Sequence, residues 1–412
     1  MRYSNAVCFE NDQRENPKMR GALRKIKIVG QLAMRHPRGW KSLVFNTGMA
    51  RARKVGPLMR PAHVSIEPTN VCNARCPVCE TGKGEMTRPV GMLDFENYKK
   101  LIDDIWPTTS VLMFYFMGEP FLNRHAYDMI RYARKRGIYV ETCTNGDFVD
   151  AKGVIYSDIN KISFQIGGLD SATHQIYRIR SNLERIRKNL YELIEERRKH
   201  PESNVEIDLG FIVMRHNENQ VEDFIKWARE IGVDTASVID PCVRNMAEAK
   251  TYLPEEKRYW FYDEEAYERG VLKPKYIPHN ECLWIWNSIL INWNGDVVPC
   301  CRDANGENVL GNVFHQGLGH VFNSKTARAF RHEILNAQKD VGICRLCSGF
   351  GLPHLERAEP VSFEIKRHSF DQKSLGLGKS EWTPEEVSEE THVDLGDGPG
   401  KAFQNKRPAS AS

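Results

Sequence analysis

The chain has 412 residues, 41% hydrophobic and 27% charged, with a formal net charge of +4 at pH 7. That composition fits a globular protein too long for one ordinary core, so two domains with tails are expected. No apolar run reaches the roughly 18 residues of a membrane span, and the opening MRYSNAVCFENDQREN has no signal-like apolar core.

A cytoplasmic setting is therefore expected, and no nucleic-acid partner. The eleven cysteines then point to metal or redox work rather than disulfides. Residues 1–60 form a basic N-terminal arm, with fourteen Lys/Arg against three Asp/Glu. Within it, residues 21–38 interleave apolar and basic side chains at helical spacing. Two readings stand: a helix packed under the next domain, or a peripheral membrane contact on anionic lipid, each basic residue adding about 1 kcal/mol.

From residue 61 to 244, strand-like and helix-like stretches alternate. Strands are expected at His63–Glu67, Ser110–Met117, Ile138–Cys143, Lys161–Ile166, Val205–Met214 and Asp234–Ile239. Amphipathic helices are expected at Phe95–Ile105, Ala126–Gly137, Ala172–Lys199 (broken near Ser181) and Asn219–Gly232. Such alternation gives a parallel sheet, open or curled into a barrel, with chemistry at the C-terminal ends of its strands. Residues 245–281 read as a helical bridge. A second unit spans 282–355 and holds five cysteines. There SILINW, the turn NG and DVVPC read as a hairpin. Residues 371–412 read as a disordered tail, with seven acidic and no basic side chains in 381–397.

Two cysteine sets carry the chemistry. Cys72, Cys76 and Cys79 follow the first strand as C-x3-C-x2-C. Three thiolates leave one iron of a cubane open to a further ligand; closed zinc and cluster sites use four. A zinc knuckle with a distant fourth ligand is the alternative. In the second set the hairpin brings Cys282 and Cys300 together, and Cys344-x2-Cys347 follows, so four thiols can close a site. Cys301 is the spare and could replace Cys300; a zinc ribbon is the alternative. Cys8, Cys143 and Cys242 lack paired spacing and read as ordinary thiols.

The first motif, with Val78 before its third cysteine, resembles the signature of the radical S-adenosylmethionine (SAM) enzymes. MGEP (Met117–Pro120), TNG (Thr144–Gly146) and FQIGG (Phe164–Gly168) at later strand ends fit the same family over roughly residues 60–240. The resemblance implies an α/β fold, a partial (β/α)6 TIM-like barrel, with Cys72, Cys76 and Cys79 holding a [4Fe–4S] cluster. In that family SAM chelates the open iron and is cleaved to methionine and a 5′-deoxyadenosyl radical, which takes a hydrogen atom from substrate. It further implies SAM contacts at Gly118 and Glu119, at Asn145, at Gln165 for the ribose, at Arg178 for the carboxylate and at Asn217. The family's pattern often reads Ser-x-Asp-Gly where this chain has Gln165–Gly168.

The second set resembles the SPASM or twitch extension of these enzymes, a small hairpin-and-helix iron–sulfur domain. That implies one auxiliary [4Fe–4S] cluster on Cys282, Cys300, Cys344 and Cys347. A flavodoxin or ferredoxin type electron donor is implied as partner. Residues 1–60 show no strand runs of a peptide-recognition domain. The expected substrate is therefore a small polar molecule of sugar, aminocyclitol or nucleotide-sugar type; a ribosomally made peptide is the alternative. His63, Tyr115, Gln165 and Asp240 are candidate pocket residues.

Overall fold

The computed structural model describes residues 39–347, Gly349 and residues 363–368. The expectations for residues 1–38 and 371–412 lie outside the described residues.

Among the described residues ten strands form one sheet in the order β10-β6-β5-β4-β3-β2-β1-β7-β8-β9. The first six are β1 (His63–Ile66), β2 (Val111–Met113), β3 (Tyr139–Thr144), β4 (Lys161–Ile166), β5 (Glu206–Ile212) and β6 (Thr235–Ile239). They run parallel in chain order, as the alternation of apolar strands with amphipathic helices demands. One face carries Val64, Leu112, Val140, Ile162 and Leu209, all fully buried in the hydrophobic core. The other face carries Ser65, Glu141, Lys161, Ser163 and Asp208, because side chains alternate along a strand. The sheet therefore curls as a partial TIM-like barrel around a polar lumen.

β2 is shorter than its apolar run. The chain leaves the ladder after Met113, although Phe114 N still donates to Glu141 O at 2.8 Å, and turns at Gly118 with φ +79°. The long basic helix breaks as its sequence indicates, into Ser171–Tyr177 and Leu183–Lys199. Asn182 caps the second piece by accepting from Arg185 N at 3.0 Å.

Residues 245–281 are not a continuous helix. Two short helices, Met246–Tyr252 and Glu264–Glu268, flank a single 3-10 turn. Pro254, Gly270 and Pro274 interrupt them. Their aromatic residues Trp260, Phe261 and Tyr262 pack with Ala74, Cys76 and Val78, so this segment backs the three-cysteine loop.

The C-terminal unit adds β7 (Ser288–Ile291), parallel to β1 in the register His63↔Ser288 to Ile66↔Ile291. β8 (Asp296–Val298) pairs antiparallel with β7 as the expected hairpin, and β9 (Gly311–Asn312) pairs antiparallel with β8. A buried ion pair locks this unit to the barrel. Arg88 forks onto Glu67, just past β1, and its Nε donates to Ala304 O at 2.6 Å. Trp293 N donates to the same carboxylate at 3.2 Å. Two strands were not foreseen, β9 and β10: β10 (Glu364–His368) returns to pair parallel with β6, and Lys366 reaches Glu206 at 3.6 Å.

Side-chain exposure at the Glu67–Arg88 pair is 0% and 9%. Arg88→Ala leaves a buried carboxylate without its cation and should cost about 3–5 kcal/mol in denaturant unfolding. The double change Glu67→Gln with Arg88→Met should recover part of that loss; equal losses in both proteins would show that the pair is not the lock.

Candidate active site at the barrel rim

The three cysteines lie between β1 and the short helix Glu80–Lys83, which Cys79 precedes as N-cap. Cys79 N donates to Cys76 O at 3.2 Å, folding the loop back on itself. Gly82 makes this possible: a Cβ there would lie 2.5 Å from Cys76 N and overlap its carbonyl oxygen. Val78, 3% exposed, anchors the loop in the aromatic cluster. Burial pushes the Cys72 thiol up to about 12 and raises Cys79, with neighbouring cysteines adding to both. Thiols in such a place become ligands against the charge of a metal.

Three later strand ends close on this loop. Gly118 packs so tightly that a Cβ would sit 2.8 Å from Asn70 Cα, and Glu119 N donates to Val71 O at 2.8 Å. The Glu119 carboxylate is spent on the protein: it accepts from Thr144 Oγ1 at 2.7 Å and Asn145 N at 2.8 Å. Burial raises it to about 7. Asn145 Nδ2 donates to Asn73 Oδ1 at 2.8 Å and lies 3.8 Å from Cys72 Sγ. Arg178 NH1 lies 3.7 Å from Cys76 Sγ, while its buried Nε has no hydrogen-bond partner among the described residues.

The remaining sequence candidates fall elsewhere. Asn217 is 1% exposed, and its amide binds Gly167 O and Ile212 O at 3.0 Å and Met214 N at 2.7 Å. It ties the ends of β4 and β5 together. Gln165 lies in the lumen over Gly210 and donates to Ser163 Oγ at 2.8 Å. Tyr115 OH donates to Glu141 at 3.4 Å in the same lumen. His63 is fully buried on the lumen face of β1. Asp240 does not join them: it sits 3.8 Å from Arg367, whose neighbour Lys366 takes the lumen face. Burial raises Asp240 to about 7.

The second set gathers Cys282, Cys300, Cys301, Cys344 and Cys347 within electrostatic reach of one another. Burial pushes Cys282 up to about 12 and Cys301 up to about 11. Cys347 N donates to Cys344 O at 3.1 Å, closing the C-x2-C turn. Among the described residues no three His, Cys, Asp or Glu side chains converge as around a single ion.

A link between the two sets escaped the sequence reading. Cys242 Sγ accepts from Arg244 NH1 at 2.9 Å and Arg302 NH1 at 2.8 Å. Arg244 also binds Glu80, the neighbour of Cys79, at 2.9 Å, and Arg302 follows Cys301. The one sequence signal was the position of Cys242, three residues beyond the last residue of β6 at the rim. Asp208 was missed too, though strand alternation puts it in the lumen. It accepts from Ser163, Thr235 and Ser237.

Comparison with known proteins agrees with this arrangement. Residues 66–228 match the radical SAM superfamily and residues 282–348 the SPASM iron–sulfur cluster-binding domain, which between them span more than half of the chain. The chain belongs to the radical SAM superfamily and carries a C-terminal SPASM domain. Its cofactors are accordingly a [4Fe–4S] cluster with SAM and an auxiliary iron–sulfur cluster.

One similar curated protein is the tungsten-containing aldehyde ferredoxin oxidoreductase cofactor-modifying protein of Pyrococcus furiosus. It is 23% identical over 262 residues, which cover 58% of this chain and 71% of that one. The AdoMet-dependent heme synthase of Nitratidesulfovibrio vulgaris is 24% identical over 228 residues, 52% of this chain and 59% of its own length. Among solved structures, Streptococcus suis SuiB bound to precursor peptide SuiA shares the fold. Its TM-score is 0.52 at 14% identity, covering 90% of this chain and 84% of that one.

Gly82→Ala should force the Cys76 backbone to move. Anaerobically reconstituted protein should then lose most of one cubane, falling from about eight irons per chain toward about four. Unchanged iron content would show that the tight Gly82–Cys76 packing does not hold the loop.

Proposed function

We propose that this radical SAM enzyme takes a hydrogen atom from a small polar metabolite held in the barrel lumen. Dehydrogenation, epimerisation or dehydration of a sugar, aminocyclitol or nucleotide-sugar type molecule are the reactions in view. The observation that carries the substrate class is the lumen itself. Tyr115, Glu141, Lys161, Ser163, Gln165 and Asp208 line it with donors and acceptors below the three-cysteine rim. These groups pair with one another. An apolar substrate that separated them would leave both partners of each broken hydrogen bond unsatisfied, at a cost of about 1–3 kcal/mol each, whereas a polar one could exchange with them. Two curated relatives, a cofactor-modifying protein and a heme synthase, are named for work on cofactors rather than on peptides, which supports the small-molecule reading.

In this reading Cys72, Cys76 and Cys79 hold the open cluster, and Cys282, Cys300, Cys344 and Cys347 hold the auxiliary one. Bound there, the cluster and SAM supply one-electron reduction and hydrogen-atom abstraction. Arg178 sets a guanidinium beside Cys76 Sγ and keeps its Nε for a further acceptor, as the carboxylate of SAM would be. Gly118 and Asn145 frame the space above the loop. Glu119 and Asn217 act through the backbone they hold rather than by contact. Asn145, held by Glu119, keeps its amide beside Cys72.

Anaerobically reconstituted protein with dithionite should convert SAM to 5′-deoxyadenosine, and Cys76→Ala should not. With deuterated polyols and aminocyclitols, the true substrate class should pass deuterium into 5′-deoxyadenosine. Deuterium arriving only from peptides would move the enzyme to the peptide-modifying class. Cys344→Ala with Cys347→Ala should spare SAM cleavage but cut product formation, as expected when the auxiliary site takes part after hydrogen abstraction.

A further inference from the structure

The rim beside the three-cysteine loop presents a surface that none of these roles uses. Arg75 lies within the loop, and its N–H donates to Ile179 O at 2.8 Å. Ile179 is 39% exposed, Ile176 49% and Phe148 41%. Arg75, Arg180 and Arg185 are exposed around them. The Arg185 guanidinium lies 5.5 Å from the Phe148 ring centroid.

One buried carboxylate assembles this surface. Asp147 accepts from Asn73, beside Cys72, at 2.6 Å, from Asn182 N at 3.1 Å and from Arg185 NH2 at 2.9 Å. The cysteine loop, the end of β3 and the turn before helix Leu183–Lys199 are thereby joined. The turn holds Arg180 at φ +70°, a conformation uncommon outside glycine. Such strain is kept where the surroundings enforce it, often at working surfaces. Among the described residues the side chains of Arg75 and Arg180 have no ion-pair partner, while the nearby Glu184 is engaged by Arg187 at 3.2 Å.

We infer that this rim is the docking face for an acidic one-electron carrier protein of flavodoxin or ferredoxin type. The inference rests on the reading of Cys72, Cys76 and Cys79 as cluster ligands. One electron must enter from outside for each SAM cleaved. In that step the carrier is oxidised by one electron and the cluster reduced by one, with no bond made or broken and no proton moved. The carrier must therefore dock where little protein separates the surface from the thiols, and Arg75 stands between Cys72 and Cys76 in the chain. Redox encounters are weak and small, under about 1,200 Å². They are steered by complementary charge more than by area. Arg75 and Arg180 supply the steering, and with Arg185, which Asp147 holds against Phe148, they surround three exposed apolar side chains that give a short-lived dry contact.

The test uses a purified acidic flavodoxin, photoreduced, as probe. In Arg75→Glu with Arg180→Glu, association with the cluster-free chain by interferometry should weaken about tenfold or more at low salt. Reduction of the loaded protein by the probe should slow similarly, and the wild type's sensitivity to added salt should flatten. Dithionite, which needs no docking face, should still drive SAM cleavage in the double variant to within about twofold of wild type. Equal association and equal salt dependence in the two proteins would overturn the docking face. If the double variant loses iron, Arg180→Asn decides, since Asn tolerates positive φ while removing the charge; unaltered association there also overturns the proposal. Failure of dithionite-driven cleavage in wild type would instead defeat the radical SAM reading and leave the interferometry to judge the face.

Discussion

The pairing of β1 with β7 sets the relation between the two groups of thiols. β1 lies between β2 and β7, in parallel register with both. The three-cysteine loop leaves the top of β1, and Cys282 and Cys300 flank the β7–β8 hairpin. A slip of one residue in this ladder would turn His63 and Ser65 out of the lumen and Val64 into it. Glu67 and Arg88 then fasten the hairpin loops to the same strand end. The spacing of the two sites is thus fixed by backbone hydrogen bonds and one buried ion pair rather than by flexible loops.

The same sheet separates two environments. Its helix-covered face is apolar and supplies the stability. Its lumen face carries charge, which survives burial because each group has a partner: Lys161 with Glu206 at 3.2 Å, Lys366 with Glu206, and Asp208 with three hydroxyls. Buried charge adds little net stability, so a lumen of this kind marks a place where polar contacts are needed. At the rim, Glu119, Asp147 and Asn217 hold backbone ends in place, and Asn145 and Arg178 are left beside the cysteines.

Much of this was legible in the sequence. The C-x3-C-x2-C spacing and the order of strand-end motifs led to the family, and alternating strands and helices led to the parallel sheet. Residues whose role depends on contacts distant in sequence were not legible. β10 has the sequence EIKRH, without apolar alternation, and pairs with a strand more than a hundred residues earlier. The motif around Glu119 suggested a cofactor contact through backbone atoms; that its carboxylate turns inward to Thr144 and Asn145 was not legible. Asp240 follows a lumen strand yet lies beside Arg367. Cys242, read from the sequence as an ordinary thiol, joins Arg244 to Arg302 between the two cysteine sets.

The central claim is that only the three-cysteine cluster has an iron open to SAM. Electron paramagnetic resonance of the dithionite-reduced protein, with and without SAM, tests this most directly. Two cluster signals are expected in wild type. SAM should perturb one of them, and that one should be absent when Cys72, Cys76 and Cys79 are all changed to Ala. The remaining signal should not respond to SAM. A response to SAM in the triple variant, or no response in wild type, would contradict the account.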